Sequence, residues 1–203
     1  MKKLLQFKKI AFISTIFFIC SLGGRAQIYV SPSGNDSNVG SELEPKKTIQ
    51  AAIDIATGGQ TVYITPGTYS PSSALPEHGA FININKQLTL EGTGISKGDV
   101  IIDGSTANYV TTSNRGIFIS ANGVSIKNLT VTNFESGISL ANEVIGLTLD
   151  NTASNANYRY GFYTNKSATN VTIINSEFNN NGNKGGSPVS SSARGIFFQS
   201  STA

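Results

Sequence analysis

From residue 28 onward the chain is a series of short apolar runs, most of them alternating, broken by glycine, asparagine or proline. One phrase recurs. Gly116-Ile117-Phe118-Ile119 returns as Gly137-Ile138-Ser139-Leu140, as Gly161-Phe162-Tyr163-Thr164 and as Gly195-Ile196-Phe197-Phe198, at steps of 21, 24 and 34 residues. A second phrase, Val124-Ser125-Ile126-Lys127-Asn128, returns as Val171-Thr172-Ile173-Ile174-Asn175, with Val144-Ile145-Gly146-Leu147 as a looser copy between them. No helical pattern separates these runs, so a strand-helix-strand crossover is excluded. Repeats of this length built from short strands predict a solenoid. Like residues in register on successive coils predict an all-β parallel β-helix, its rungs stacked at the ordinary inter-strand spacing of ~4.8 Å.

The chain before the repeats predicts a cap over 28–59 and coils over 61–203. Ile28-Tyr29-Val30 is a short strand, and 31–44 is rich in turn residues. Thr48 is placed to cap a helix carrying Ile49, Ala52, Ile53 and Ala56 on one face, with Gly58-Gly59 ending it. Such a helix can cover the open apolar end of a stack. Thr61–Ile64, Phe81–Ile84, Leu88–Leu90 and Val100–Ile102 are the first coil strands. At the other end Ile196-Phe197-Phe198 opens a new strand shortly before Ala203, without a cap. The expectation is therefore the N-terminal portion of a longer protein, its stack continuing beyond residue 203.

Residues 1–26 alter the charge balance. Lys2, Lys3, Lys8 and Lys9 precede an apolar run from Ile10 to Leu22 and a small-x-small triplet, Gly24-Arg25-Ala26. This predicts a secretory signal peptide cleaved after Ala26, and the run is short of the ~20 residues of a membrane span. The 27–203 domain is then expected outside the cell or at its surface, with no membrane span. Four lysines and Arg25 leave with the signal, so 10 of the 15 basic residues remain against all 12 acidic ones. Bulk charge gives no reason to expect a nucleic-acid partner. Cys20 is the only cysteine, which removes disulfides and thiolate metal sites from the mature chain.

The opening segment resembles that of secreted right-handed β-helix proteins of the pectate-lyase-like superfamily. The matching residues are Tyr29-Val30-Ser31-Pro32-Ser33-Gly34-Asn35-Asp36, Pro45, Thr48-Ile49-Gln50-Ala51-Ala52, Gly59, Thr61-Val62-Tyr63-Ile64 and Pro66-Gly67-Thr68-Tyr69. The resemblance implies a right-handed coil. It also implies a carbohydrate-active protein that binds or degrades a polysaccharide or cell-surface glycan, including polyuronates attacked by lyase chemistry. That superfamily also holds non-catalytic surface modules, so a surface or adhesion role stands as the alternative. An ice- or mineral-binding face is a third possibility, which the unequal rung lengths disfavour.

Candidate chemistry is sparse. The three arginines of the mature chain sit at nearly the same place in the repeat: Arg115 and Arg194 just before Gly116 and Gly195, and Arg159 two residues before Gly161. In register they would form a basic column at the edge of loops that lengthen through 153–158 and 179–193. Guanidinium forks suit uronate carboxylates, and Tyr160 and Tyr163, with Tyr158 nearby, can stack on sugar rings. The candidate substrate-binding set is Arg115, Arg159, Arg194, Tyr160 and Tyr163. The competing expectation is that each arginine covers a turn or pairs with an acid such as Glu135 or Glu143. The resemblance brings calcium into view as a lyase cofactor, but Asp99, Asp103, Asp150 and Glu177 are scattered, and no calcium ligand or catalytic base can be picked out. His78, the sole histidine, and Asp36 are expected in solvated loop or turn roles. Asn128 and Asn175, and separately Asn133, Asn151 and Asn180, are expected to stack as ladders in left-handed turns.

Overall fold

The computed structural model describes residues 27–72, 79–106, 114–141, 143–164, 168–182 and 194–198. Residues 1–26, expected as a signal peptide, together with His78 and residues 183–193, lie outside them. Thirteen strands and one helix are described. Sheet A runs β1 (Ile28–Val30), β2 (Gln60–Ile64), β5 (Leu88–Gly92), β8 (Ser125–Thr132), β10 (Thr148–Asn155) and β12 (Thr172–Ile174), with β3 (Gly67–Tyr69) and β6 (Val100–Asp103) joined to it through β8. Sheet B runs β4 (Ala80–Ile84), β7 (Arg115–Ile119), β9 (Ser136–Leu140), β11 (Tyr160–Thr164) and β13 (Arg194–Phe198). Every registered pair is parallel, and from β6 to β13 the strands alternate between the two sheets as the chain coils: a parallel β-helix.

The repeat phrases stack as the coil demands. Ile82, Ile117, Ile138, Phe162 and Ile196 form one column, and Val62, Leu90, Ile126 and Leu149 another. All are fully buried except Ile196, which is 40% exposed on the last described rung. Burying each such side chain contributes about 2 kcal/mol. The helix α1 (Ile49–Ile55) is capped by Thr48, whose side chain accepts from Ala51 N, and it buries Ile49, Ala52 and Ile53 against the first rungs. Lys86 Nζ donates to the carbonyls of Ile53, Asp54 and Ala56 and closes the helix C-terminus.

Two readings of the repeat are corrected by the register. Ser125 pairs with Thr148, so the copy of the valine phrase is Leu147-Thr148-Leu149-Asp150-Asn151, three residues after Val144. Val144 belongs to the preceding turn, although it too is buried. The arcs from glycine phrase to valine phrase are then 8, 10 and 10 residues, and the return arcs 13, 14 and 24. Residues 153–158 are therefore not an insertion: β10 runs through Asn155 in register with Thr132. The large gain in length, from 14 to 24 residues, falls in the last return arc, which contains 179–193.

Asparagines make the corners. Asn128, Asn151 and Asn175 all adopt φ near +50°. Asn151 Nδ2 donates to Asn128 Oδ1 at 2.8 Å, and Asn128 Nδ2 donates to Gly92 O and Gly94 O. Asn151 thus belongs to this column and not to that of Asn133 and Asn180, where Ala156 takes the left-handed position. The left-handed bend costs asparagine less than other side chains.

The recurrent glycine has a packing cause. A Cβ on Gly137 would overlap Ser154 Oγ and lie 2.7 Å from Asn157 Nδ2; one on Gly161 would lie 2.6 Å from Asn181 Nδ2. A corner side chain of the next rung fills the space that each glycine leaves. Gly137→Ala is expected to destabilise the protein by about 2–3 kcal/mol, because Ser154 and Asn157 are fully buried and hydrogen-bonded. Gly58→Ala, whose added Cβ meets nothing within 4 Å, is the control, and thermal unfolding of both variants checks the difference.

Asp36 ties the opening loop to α1. Its carboxylate accepts from Thr48 N at 2.8 Å, Thr48 Oγ1 at 2.9 Å and Lys47 N at 2.9 Å. Partial burial works to raise its pKa, but the Thr48 and Lys47 bonds and the Lys46 charge outweigh it and hold the carboxyl below its ordinary value. A depressed carboxyl stabilises the fold above the unfolded pKa of ~3.9, and that stability is lost as pH falls through the lower folded value. Asp36→Asn is expected to lower the melting temperature at neutral pH and to lose less than wild type on acidification below pH ~4. Melting curves across that range decide it.

Candidate functional site

The outer face of sheet B carries the candidate residues. In each rung the strand turns the second and fourth residues of the glycine phrase inward. The residue before the glycine and the third residue of the phrase face outward, so two outward positions lie three apart. These outward pairs are Arg115/Phe118 on β7, Ser136/Ser139 on β9, Tyr160/Tyr163 on β11 and Arg194/Phe197 on β13, all in register. The Arg115 guanidinium lies 4.7 Å from the Phe118 ring centroid, and that of Arg194 5.2 Å from Phe197. Tyr160 stacks on Tyr163 at 4.9 Å and on Phe197 at 5.3 Å, and Tyr163 lies nearly parallel to Phe197 at 5.7 Å and 7°. The result is an aromatic strip with a guanidinium over a ring on three of its rungs, Arg159 over Tyr160 being the third, an arrangement that pre-orients the cations.

Arg159 departs from the expected column. Tyr160, not Arg159, is the register partner of Arg194 and of Ser136, so Arg159 sits one position earlier, above Glu135. Its Nη1 donates to Glu135 Oε1 at 3.0 Å and its Nη2 to Tyr160 Oη at 3.1 Å, while the guanidinium lies 5.0 Å from the Tyr160 ring. The bond to Glu135 is the main reason that its pKa is raised above the ordinary arginine value. The local-acid expectation therefore holds for Arg159. Arg115 and Arg194 share one column, two rungs of Ser136 and Tyr160 apart.

Ser139 is 1% exposed although it faces outward. The large neighbours on either side close over the small Ser136–Ser139 rung. Burial, then Tyr160, raises the Tyr163 pKa, against the opposing pull of Arg159 and Arg115. Among the described residues, the buried side-chain polar atoms without a partner are both amide atoms of Asn114, Ser139 Oγ and Arg159 Nε. Asn114 immediately precedes Arg115, so all of them border this strip. Clustered orphans of this kind call for an explanation beyond folding, since buried polar groups are otherwise paired. Chemically, the strip offers charge-assisted donors and flat apolar faces. Sequence reasoning passed over Phe118 and Phe197; the signal was present in the three-residue spacing between outward positions of the repeated phrase.

Among the described residues the acids do not assemble into a calcium cage. Asp99 accepts from Ser96 N, Asp103 from Ser105 and Asn133, Asp150 from Asn175, and Glu177 pairs with Lys97. All belong to the sheet A side or its turns. Among the described residues no group of three His, Cys, Asp or Glu lies close enough to hold a metal ion. The described residues thus do not assemble the calcium site that the resemblance implies. Among the described residues, also, no helix is long and apolar enough to cross a membrane.

Comparisons with known proteins agree on the architecture. The family model described as the Pel9A-like, right-handed β-helix region matches residues 28–196. A pectate lyase, PEL9 of Emericella nidulans, is 43% identical over 68 residues, which are 34% of this chain and 14% of that protein. The crystal structure of pectate lyase Pel9A superposes with a TM-score of 0.64 at 24% identity, over 77% of this chain and 40% of that one. A rhamnogalacturonan lyase superposes with a TM-score of 0.56 at 16% identity, over 86% and 62%. The chain therefore spans well under half the length of either pectate lyase. With its parallel coils, its cap helix and a family match over most of its length, the chain belongs to the Pel9A-like right-handed β-helix family.

Proposed function

We propose that this chain is the β-helix portion of a secreted polysaccharide-active protein whose sheet B strip binds a polyuronate. The observation that carries the reading is the strip itself: Arg115 and Arg194 held over aromatic rings, the Tyr160–Tyr163–Phe197 stack, and the unpaired polar atoms at its border. Arg115 and Arg194 supply charge-assisted forks to uronate carboxylates, and the partly exposed Tyr163 and Phe197 rings, backed by the buried Tyr160, stack against sugar faces. Arg159, engaged by Glu135, holds Tyr160 in place. The relatives named as pectate and rhamnogalacturonan lyases support an acidic polysaccharide as the ligand class. In the lyase form of this reading, a base removes the proton next to the uronate carboxylate and the glycosidic oxygen departs. An arginine on that carboxylate would ease the proton loss by neutralising its charge. No described residue is assigned as the base. The absence of an acidic cluster among the described residues favours, as the second reading, a non-catalytic surface module that binds through the same strip.

A polysaccharide panel separates the readings. Retention on polygalacturonate together with rising ultraviolet absorbance of unsaturated uronates supports the lyase; retention without absorbance supports the module. Failure to bind any polyuronate would sink both. Arg115→Ala and Arg194→Ala are each expected to weaken polygalacturonate binding about tenfold or more, the net worth of one charge-assisted hydrogen bond, and added salt should weaken the wild type. Arg159→Ala is expected to act through Tyr160. If it leaves binding unchanged, Arg159 has no part in the site.

A further inference from the structure

We propose that the outer face of sheet A is a second glycan-binding surface, specific for an uncharged, hydroxyl-rich polysaccharide. In this sheet Val62, Leu90, Ile126 and Leu149 point inward and are fully buried. The residue preceding each faces outward: Thr61, Thr89, Ser125 and Thr148, followed by Thr172 on β12. They are consecutive register partners, Thr61 with Thr89, Thr89 with Ser125, Ser125 with Thr148, and Thr148 with Thr172. At the ordinary inter-strand spacing this column of hydroxyls spans about 19 Å. The unequal rung lengths do not disturb it, because the extra residues fall in the turns.

The hydroxyls are unengaged. None of the five makes a side-chain hydrogen bond among the described residues, whereas Thr130, Thr152 and Ser154 donate to the carbonyls of Lys97, Ile126 and Gly161. Each free hydroxyl offers one donor and two acceptor positions, which is the functionality of a sugar hydroxyl. A regular row of them matches the repeating hydroxyls of an extended glycan lying along the helix axis.

The neighbouring outward column decides the charge of the partner. It reads Tyr29, Tyr63, Glu91, Lys127, Asp150 and Ile174 in register. Signs alternate through Glu91, Lys127 and Asp150, so this face has no excess of cations, unlike the arginine-bearing strip on sheet B. A polyuronate would meet two carboxylates here, and an uncharged chain meets no such penalty. Tyr29 and Tyr63 stack at 5.3 Å and 27° at one end of the face and give it an aromatic platform for a sugar ring.

Microcrystalline cellulose serves as the uncharged probe, with binding read as depletion of the full chain from solution. Wild type is expected to be retained, with little sensitivity to salt. The combined Thr89→Val, Ser125→Ala and Thr148→Val variant should lose about five-fold or more in retention, with an unchanged melting midpoint, since valine is favoured in strands. Thr89→Ser should bind as wild type does. Should the combined variant fail to fold, Thr89→Val and Thr148→Val singly provide the same comparison. No retention of the wild type, or equal retention of the hydroxyl-free variants, overturns the proposal. Loss of retention in Arg115→Ala would also overturn it, by placing cellulose on sheet B.

Discussion

A parallel strand can satisfy its amides and carbonyls only if the rungs on either side present theirs in register. In this chain that requirement runs unbroken from β1 to β12 in sheet A and from β4 to β13 in sheet B. It forces each rung to repeat the character of its neighbour at each strand position: isoleucine over isoleucine inside, asparagine over asparagine at the left-handed bend, glycine over glycine at the tight corner. Variation is left to the turns, where 93–99 departs from the path between β5 and β6 and 179–193 lengthens the return to β13. Outward positions are bound only by pairing, not by packing, and they are where the two faces of the coil acquire different chemistry.

That same requirement explains what could be read from residues alone. Fold, cap helix and glycine phrase were legible because each is enforced at every rung. The Thr48 cap and the Ile49–Ala52–Ile53 face follow from helix periodicity, and the column of Ile117, Ile138 and Phe162 follows from the phrase itself. The misplacement of Val144 has a physical source. Val144-Ile145-Gly146-Leu147 carries the apolar character of a strand because Val144 packs into the core from a turn. Periodicity cannot separate a buried turn residue from a buried strand residue three positions later. The hydrogen-bond register can, and it moves Asn151 into the column of Asn128 and leaves Ala156 in that of Asn133.

The site was legible in its residue types but not in its geometry. The recurrence of arginine before the phrase pointed to one edge of the coil, yet spacing placed Arg159 only approximately. One residue of offset separates an arginine facing along the strip from one stacked on Glu135. The aromatic partners Phe118 and Phe197 look like core residues in a list, and only the inward positions of Ile117 and Ile119 reveal that the ring between them faces out. The hydroxyl column of sheet A is similarly inconspicuous, since serine and threonine are ordinary strand residues until their lack of partners is seen.

The interior beneath β11 links packing to the strip. Going from β8 to β10, the core columns turn from Leu129 and Val131 to Thr152 and Ser154, and further on Thr164 replaces the Leu140 of the rung before. Thr152, Ser154 and Thr164 are fully buried. Ser154 Oγ donates to Gly161 O at 2.7 Å, Asn157 Nδ2 donates to Ser154 Oγ and to Asn181 Oδ1, and Asn181 Nδ2 returns to Ser154 O. A methyl or methylene core would pack against Gly161 without directing it. A satisfied polar network fixes the orientation of the peptide it bonds, and breaking one member leaves the others buried and unpaired. Gly161 stands between Tyr160 and Tyr163, so the network sets the backbone on which both rings of the platform are mounted. Arg159 and Glu135 then fix Tyr160 from outside. The rung that carries the stacked Tyr160 and Tyr163 is thus held from both faces of its sheet, and its polar interior is part of how the strip is positioned.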